Sequence, residues 1–137
     1  MLKTFCLLFS LYCGTTPALV AEPMTPEQHI IYLAKQEQVD PNLLIKIARC
    51  ESGLRQFNDD GSVIFGVVNP LDTGLFQLNQ KYHLEESKRL GYDIFTEEGN
   101  IGYAVYLFKT EGSTPWRYSS FCWSSGLDGV GTSSIIK

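Results

Sequence analysis

The chain has 137 residues, with 11 basic and 15 acidic side chains, a net charge of −4 and an apolar fraction of 44%. That length suits one domain, and 19% charged residues with 12% aromatics are too apolar a mixture for a disordered chain. The acidic balance argues against a nucleic-acid binder held by a basic patch, and no apolar run reaches the ~18–20 residues of a spanning helix.

The first 21 residues read as a leader. Lys3 is followed by the apolar run Phe5-Cys6-Leu7-Leu8-Phe9-Ser10-Leu11-Tyr12-Cys13, and then by small residues up to Ala18 and Ala21. A charged start, a short hydrophobic stretch and a small-residue cleavage site predict a secretory signal peptide over residues 1–21. The alternatives are a buried N-terminal helix or an uncleaved anchor. A lipid acceptor at Cys13 fits poorly, because the bulky Tyr12 precedes it. Removal after Ala21 leaves about 116 residues with a charge of about −5 and no membrane-inserted segment. Two cysteines remain, Cys50 and Cys122. In an oxidising compartment their pairing is the default, closing a loop of about 70 residues worth ~4 kcal/mol in the chain-entropy view. Two buried thiols are the alternative.

Thr25-Pro26-Glu27-Gln28 is a helix start with a capping residue, a first-turn proline and a capping-box glutamine. That helix is predicted to run to about Gln38. Asp40-Pro41 starts a second, over 41–52, with an apolar stripe of Leu43, Leu44, Ile47 and Ala48 and a stop at Gly53. Between Phe57 and Pro70 the Asp60-Gly61 turn and the segments Val63-Ile64-Phe65 and Val67-Val68 predict a small two- or three-stranded β excursion. Residues 74–80 are expected to return to helix, followed by a short helix over 84–90 stopped by Gly91. Thr96 caps a helix to about Thr110 whose middle looks buried on most sides. A last helix begins at Thr114-Pro115-Trp116 and carries Cys122 and Trp123. The Gly- and Ser-rich residues 124–137 read as a flexible tail. Five or six helices with one small β-hairpin element predict a mainly α, α+β fold in one domain over residues 22–123.

Several chemistries lack their signatures. His29 and His83 are the only histidines, no HExxH or paired CxxC occurs, and no metal or organic cofactor is expected. Asn58-Asp59-Asp60-Gly61 fails as a calcium loop, since that register puts Gln56 at the first position and Val67 at the last. There is no phosphate loop and no GxSxG.

Glu51 is the informative residue. It lies three, four and seven residues after Ala48, Ile47 and Leu44, on the face of the apolar stripe. Burial and the negative end of the helix dipole both favour its protonated form. A carboxylic acid that keeps its proton toward neutral pH is suited to general acid catalysis. On spacing alone, the commoner reading is a partly exposed terminal glutamate or one that bonds a nearby backbone group.

The words around Glu51 add to this. Glu51-Ser52-Gly53-Leu54, then Asp72-Thr73-Gly74-Leu75-Phe76-Gln77-Leu78-Asn79, then Asn100-Ile101 resemble the lysozyme-like superfamily, specifically soluble lytic transglycosylases. The resemblance spans about Thr25 to Trp123. It implies a lysozyme-like fold and cleavage of the β-1,4 bond between N-acetylmuramic acid and N-acetylglucosamine. It implies Glu51 as the catalytic acid and base, with Ser52, Gln77 and Asn100 contacting substrate or supporting the cleft. Family members carry a tyrosine about seven residues after the asparagine. Leu107 stands there, and Tyr103 and Tyr106 fall three and six residues after the asparagine; Tyr106 is the candidate for the role, with a core tyrosine as the alternative.

The Asp72-x-Gly-Leu-Phe-Gln-Leu-Asn block is closer to C-type lysozymes, which makes Asp72 a candidate second carboxylate; a turn aspartate capping the next helix is the alternative. A Cys50–Cys122 disulfide would tether the end of the Glu51 helix to the last helix. The expectation is a secreted or periplasmic, monomeric peptidoglycan-cleaving enzyme acting on glycan strands. Two rivals are a retaining hydrolase that uses Asp72 and a non-catalytic glycan-binding module on the same scaffold. Membership of a larger secretion machine is neither supported nor opposed by any motif.

Overall fold

The structure is a computed structural model and describes residues 22–125. The leader over residues 1–21 and nearly all of the tail fall outside the described residues. The fold is α+β and mainly α, as the periodicity predicts. Its elements in chain order are α1 (Pro26–Gln36), α2 (Pro41–Ser52), β1 (Asp72–Thr73), β2 (Leu78–Asn79), α3 (Gln80–Arg89), α4 (Glu97–Glu111), a 3₁₀ turn (Thr114–Ser119) and α5 (Ser120–Trp123).

The long helices begin where local chemistry starts them. The Thr25 side chain accepts from Gln28 N while the Gln28 side chain accepts from Thr25 N, closing a capping box. Asp40 caps α2 and Thr96 caps α4 in the same sense, by accepting from the backbone of their first turns. Gly53 ends α2 in the left-handed region, at φ 68°. Helix α1 packs on both α2 and α4, and α5 packs on α2. Ile30 and Ala34 from α1, Leu44, Ile47 and Ala48 from α2, and Ile101, Ala104, Val105 and Leu107 from α4 form the core, with Leu75 and Phe76 inserted from the hairpin.

The β region departs from the sequence expectation. Val63-Ile64-Phe65 and Val67-Val68 do not form a ladder; they contribute only two isolated bridges, Phe57 with Val63 and Phe65 with Thr73. Regular antiparallel pairing is confined to Asp72 with Asn79 and Thr73 with Leu78. Residues 74–77, expected to be helical, are instead the turn of this hairpin. The helical reading failed because Leu75 and Phe76 are buried by a turn that enters the core, not by a helix face. Helix α3 therefore begins at Gln80, capped by Asn79, rather than at Leu84. The last predicted helix is a 3₁₀ turn followed by a four-residue helix, with a kink at Trp116.

A buried turn must satisfy its backbone polar groups without water. Here side chains from several elements do so. Gln56 Oε1 accepts from Leu75 N at 2.8 Å, and Asn100 Oδ1 accepts from Phe76 N at 2.9 Å. Asn100 Nδ2 donates to Thr73 O at 3.0 Å, Ser52 Oγ to Leu75 O at 2.8 Å, and Trp116 Nε1 to Phe76 O at 3.0 Å. Gly74 sits at φ +70°, and a Cβ there would lie 2.4 Å from Gln56 Oε1 and 2.6 Å from Asn100 Nδ2. Only glycine fits both the dihedral and the space.

Candidate active site

The hairpin, the end of α2 and the loop before β1 enclose an open cavity of about 440 Å³. Glu51, Ser52 and Arg55 supply one wall, Ile64 to Asn69 another, and Asp72 and Gln77 the floor between them. Four of the six residues singled out from the sequence, Glu51, Asp72, Ser52 and Gln77, thus meet in one place.

Glu51 extends the apolar stripe of α2 and is half-buried. Burial raises its pKa above the ordinary value of 4.5; the Ser119 hydroxyl opposes this, and the nearby Asp72 carboxylate adds to the rise. Ser119 Oγ lies 2.5 Å from Glu51 Oε1. The net effect is a carboxyl group that holds its proton closer to neutrality than a free glutamate would.

Asp72 is fixed from two sides. Its Oδ1 accepts from Asn79 Nδ2 at 2.6 Å, across the hairpin, and lies 3.4 Å from Asn69 Nδ2. It belongs to a strand, so the expected alternative role as a helix cap does not apply; Asn79 caps α3 instead. Gln77 takes the left-handed conformation at φ 49°, which is uncommon for a residue with a side chain. Its Nε2 donates to Gly74 O at 2.8 Å, closing the turn from the cavity side.

Three of the singled-out residues make structural contacts. Asn100 is 0% exposed, and both ends of its amide are bound to the backbone of the hairpin turn and of Ile94. It holds the turn that floors the cavity. The Ser52 hydroxyl donates to Leu75 O and accepts from Arg55 N, so its first task is to tie α2 to the turn. Tyr106 lies outside the cavity wall and stacks on Tyr103 at 5.7 Å. Tyr103 contacts His83 in turn, with its hydroxyl 3.4 Å from Nδ1, and burial pushes its pKa up to about 12. This aromatic cluster keeps its phenol protonated and serves α3–α4 packing.

Cys50 and Cys122 form a disulfide with a Cα separation of 6.0 Å. It joins α2, one residue before Glu51, to α5.

No family model, curated protein or solved structure matches this chain.

Other site residues were not read from the sequence. Gln56 is 2% exposed and shares the turn with Asn100; a polar residue after a helix-ending glycine carries no signal of burial. Asn79 was legible as a helix cap once α3 is started correctly. Ser119 had no signal at all, because only the fold brings it to Glu51. Among the described residues, no group of three or more His, Cys, Asp or Glu side chains is placed to hold a metal ion, and no helix is long and apolar enough to cross a membrane.

Proposed function

We propose that this protein is a secreted peptidoglycan-cleaving enzyme of the lytic transglycosylase or muramidase type, with Glu51 as general acid and then base. One observation carries the reading: a half-buried carboxyl group with a raised pKa stands in the wall of an open cavity, with a second carboxylate, Asp72, in the same cavity. The resemblance of the Glu51-Ser52-Gly53, Gly74-Leu75-Phe76-Gln77 and Asn100-Ile101 segments supplies the substrate class. The disulfide supports an oxidising compartment.

In the first step Glu51 donates its proton to the glycosidic oxygen as the bond from C1 of N-acetylmuramic acid breaks. The transition state at C1 is oxocarbenium-like. Glu51, now ionised, takes a proton from the attacking hydroxyl. If that hydroxyl is the muramic 6-OH, the product ends in an anhydro sugar; if it is water, the product ends in a reducing sugar. The Asp72 carboxylate favours a second reading, a retaining hydrolase in which Asp72 attacks or stabilises C1.

Digestion of purified sacculi with mass analysis of the soluble products tests both. Anhydro ends, one water lighter than reducing ends, are the expected result. Reducing ends alone would move the assignment to the hydrolase, and Asp72→Asn should then cost far more activity than it does in a transglycosylase. Binding to sacculi with no soluble product would make the chain a glycan-binding module.

A further inference from the structure

We propose that Trp123 and Ser119 form a one-way hydrogen-bond chain that ends on Glu51 and decides which of its oxygens carries the working proton. This rests on the acid–base role proposed above for Glu51. A serine hydroxyl has one hydrogen to give. Ser119 Oγ has two acceptors in reach: Glu51 Oε1 at 2.5 Å and the Trp116 carbonyl at 3.0 Å. The indole N–H of Trp123 reaches the same carbonyl at 3.2 Å and Ser119 Oγ at 3.1 Å.

An indole N–H can only donate, and this fixes the first link of the chain. Trp123 gives its hydrogen to the Trp116 carbonyl and to a lone pair of Ser119. The carbonyl's second lone pair and Glu51 compete for the serine proton, and it goes to the nearer acceptor, Glu51. The distances agree: Ser119 to Glu51 is the shortest of the four contacts and falls at the short end of the range for a hydroxyl bonded to a carboxylate. Trp116 and Trp123 are 5% and 9% exposed, so little water competes for these groups.

With Oε1 engaged as an acceptor, the proton that leaves and returns in turnover belongs to Oε2, which has no hydrogen-bond partner among the described residues. The chain is also closed covalently. Cys122 precedes Trp123, Cys50 precedes Glu51, and the disulfide joins them. Glu51 and Trp123 are thus linked by bonds on one side and by Ser119 on the other. Ser119 is a positioning residue here, and Trp123 positions it. The direction of its influence on Glu51 agrees, since the hydroxyl works against the rise that burial causes. Of the charged groups that line the cavity with Glu51, Asp72 raises its pKa and Arg55 shares its wall; Arg117 of the 3₁₀ turn lies over the Tyr118 ring at 4.5 Å. None is altered by the variants below.

The test is the titration of the Glu51 carboxyl carbon by NMR in the disulfide-bonded protein, for the wild type, Ser119→Ala, Ser119→Thr and Trp123→Phe. Ser119→Ala should raise the midpoint by about half a unit to one unit, the equivalent of roughly one hydrogen bond. Ser119→Thr, which keeps the hydroxyl, should stay near the wild type. Trp123→Phe keeps an aromatic ring in place and should move the midpoint the same way by less, since it acts on Glu51 through Ser119. The alkaline limb of kcat/KM on sacculi should move up with the midpoint. An unchanged midpoint in Ser119→Ala overturns the proposal whatever the activity. A shift in Ser119→Ala without one in Trp123→Phe overturns the part of Trp123. Shifted midpoints in a protein that does not turn over sacculi leave the chain standing and remove the enzyme assignment.

Discussion

At the scale of single residues, Glu51 is set by two opposed influences, burial that favours its neutral form and a hydroxyl that favours its charge. Glu51→Gln should abolish clearing of sacculi, with a loss of at least ~10³-fold in turnover, while leaving the far-ultraviolet circular dichroism unchanged. Stability should respond in the opposite sense. The folded protein binds the Glu51 proton more tightly than the unfolded chain does. Stability therefore falls as pH rises from the unfolded pKa through the folded one, and the full cost is present above both. The glutamine variant escapes that cost. Its thermal midpoint should exceed that of the wild type at pH 7, and the margin should close below about pH 4, where glutamate is neutral in both states. A margin that widens with falling pH would contradict a raised pKa.

At the scale of elements, the hairpin turn is held by groups from α2, α4, the 3₁₀ turn and the segment after α2. Asn100→Ala leaves Phe76 N without its partner in a dry interior and takes one donor from Thr73 O, which keeps its place in the hairpin ladder; it should destabilise the fold by about 1–3 kcal/mol, measured as a shift in the denaturation midpoint. Cys122→Ser should cost a further ~2–4 kcal/mol relative to the oxidised protein in the same measurement, for a bridge that closes a sequence separation of 72. The sequence announced the helices well, because Thr25, Asp40, Thr96 and Gly53 act locally, within a turn of their own positions. It announced the carboxylate on α2 for the same reason, since helical spacing alone puts Glu51 beside Ala48 and Ile47. The turn over 74–77 was misread because its stability is not local. Its apolar residues mimic a helix, and the amides that satisfy its backbone lie 19 and 24 residues away in the chain. Asn100 was singled out for its position in a motif, and burial then gave it a structural task. Ser119 stands 68 residues from Glu51, beyond the reach of any periodicity.

At the scale of the whole molecule, the cavity lies between a rigid side and a bare one. The rigid side is the end of α2, tethered by the disulfide. The bare side is the loop after Phe65, where Val67 is 100% exposed and Val68 99%. Side chains with no contacts contribute nothing to folding, so Val67→Ser with Val68→Ser should change stability by no more than about 0.5 kcal/mol. If the cavity binds glycan strands, the same pair should weaken retention on sacculi several-fold in a pull-down; equal retention would place the strand elsewhere.

The hairpin turn has one more consequence, which concerns timing. The Leu75 carbonyl and both polar groups of Phe76 cannot be satisfied in the core until α2, α4 and the 3₁₀ turn have docked, because those elements carry the partners. The floor of the cavity is consequently among the last parts of the chain to take shape. Completion of the fold and closure of the cavity floor are then expected to be one event, with φ-values near zero at Leu75 and Phe76.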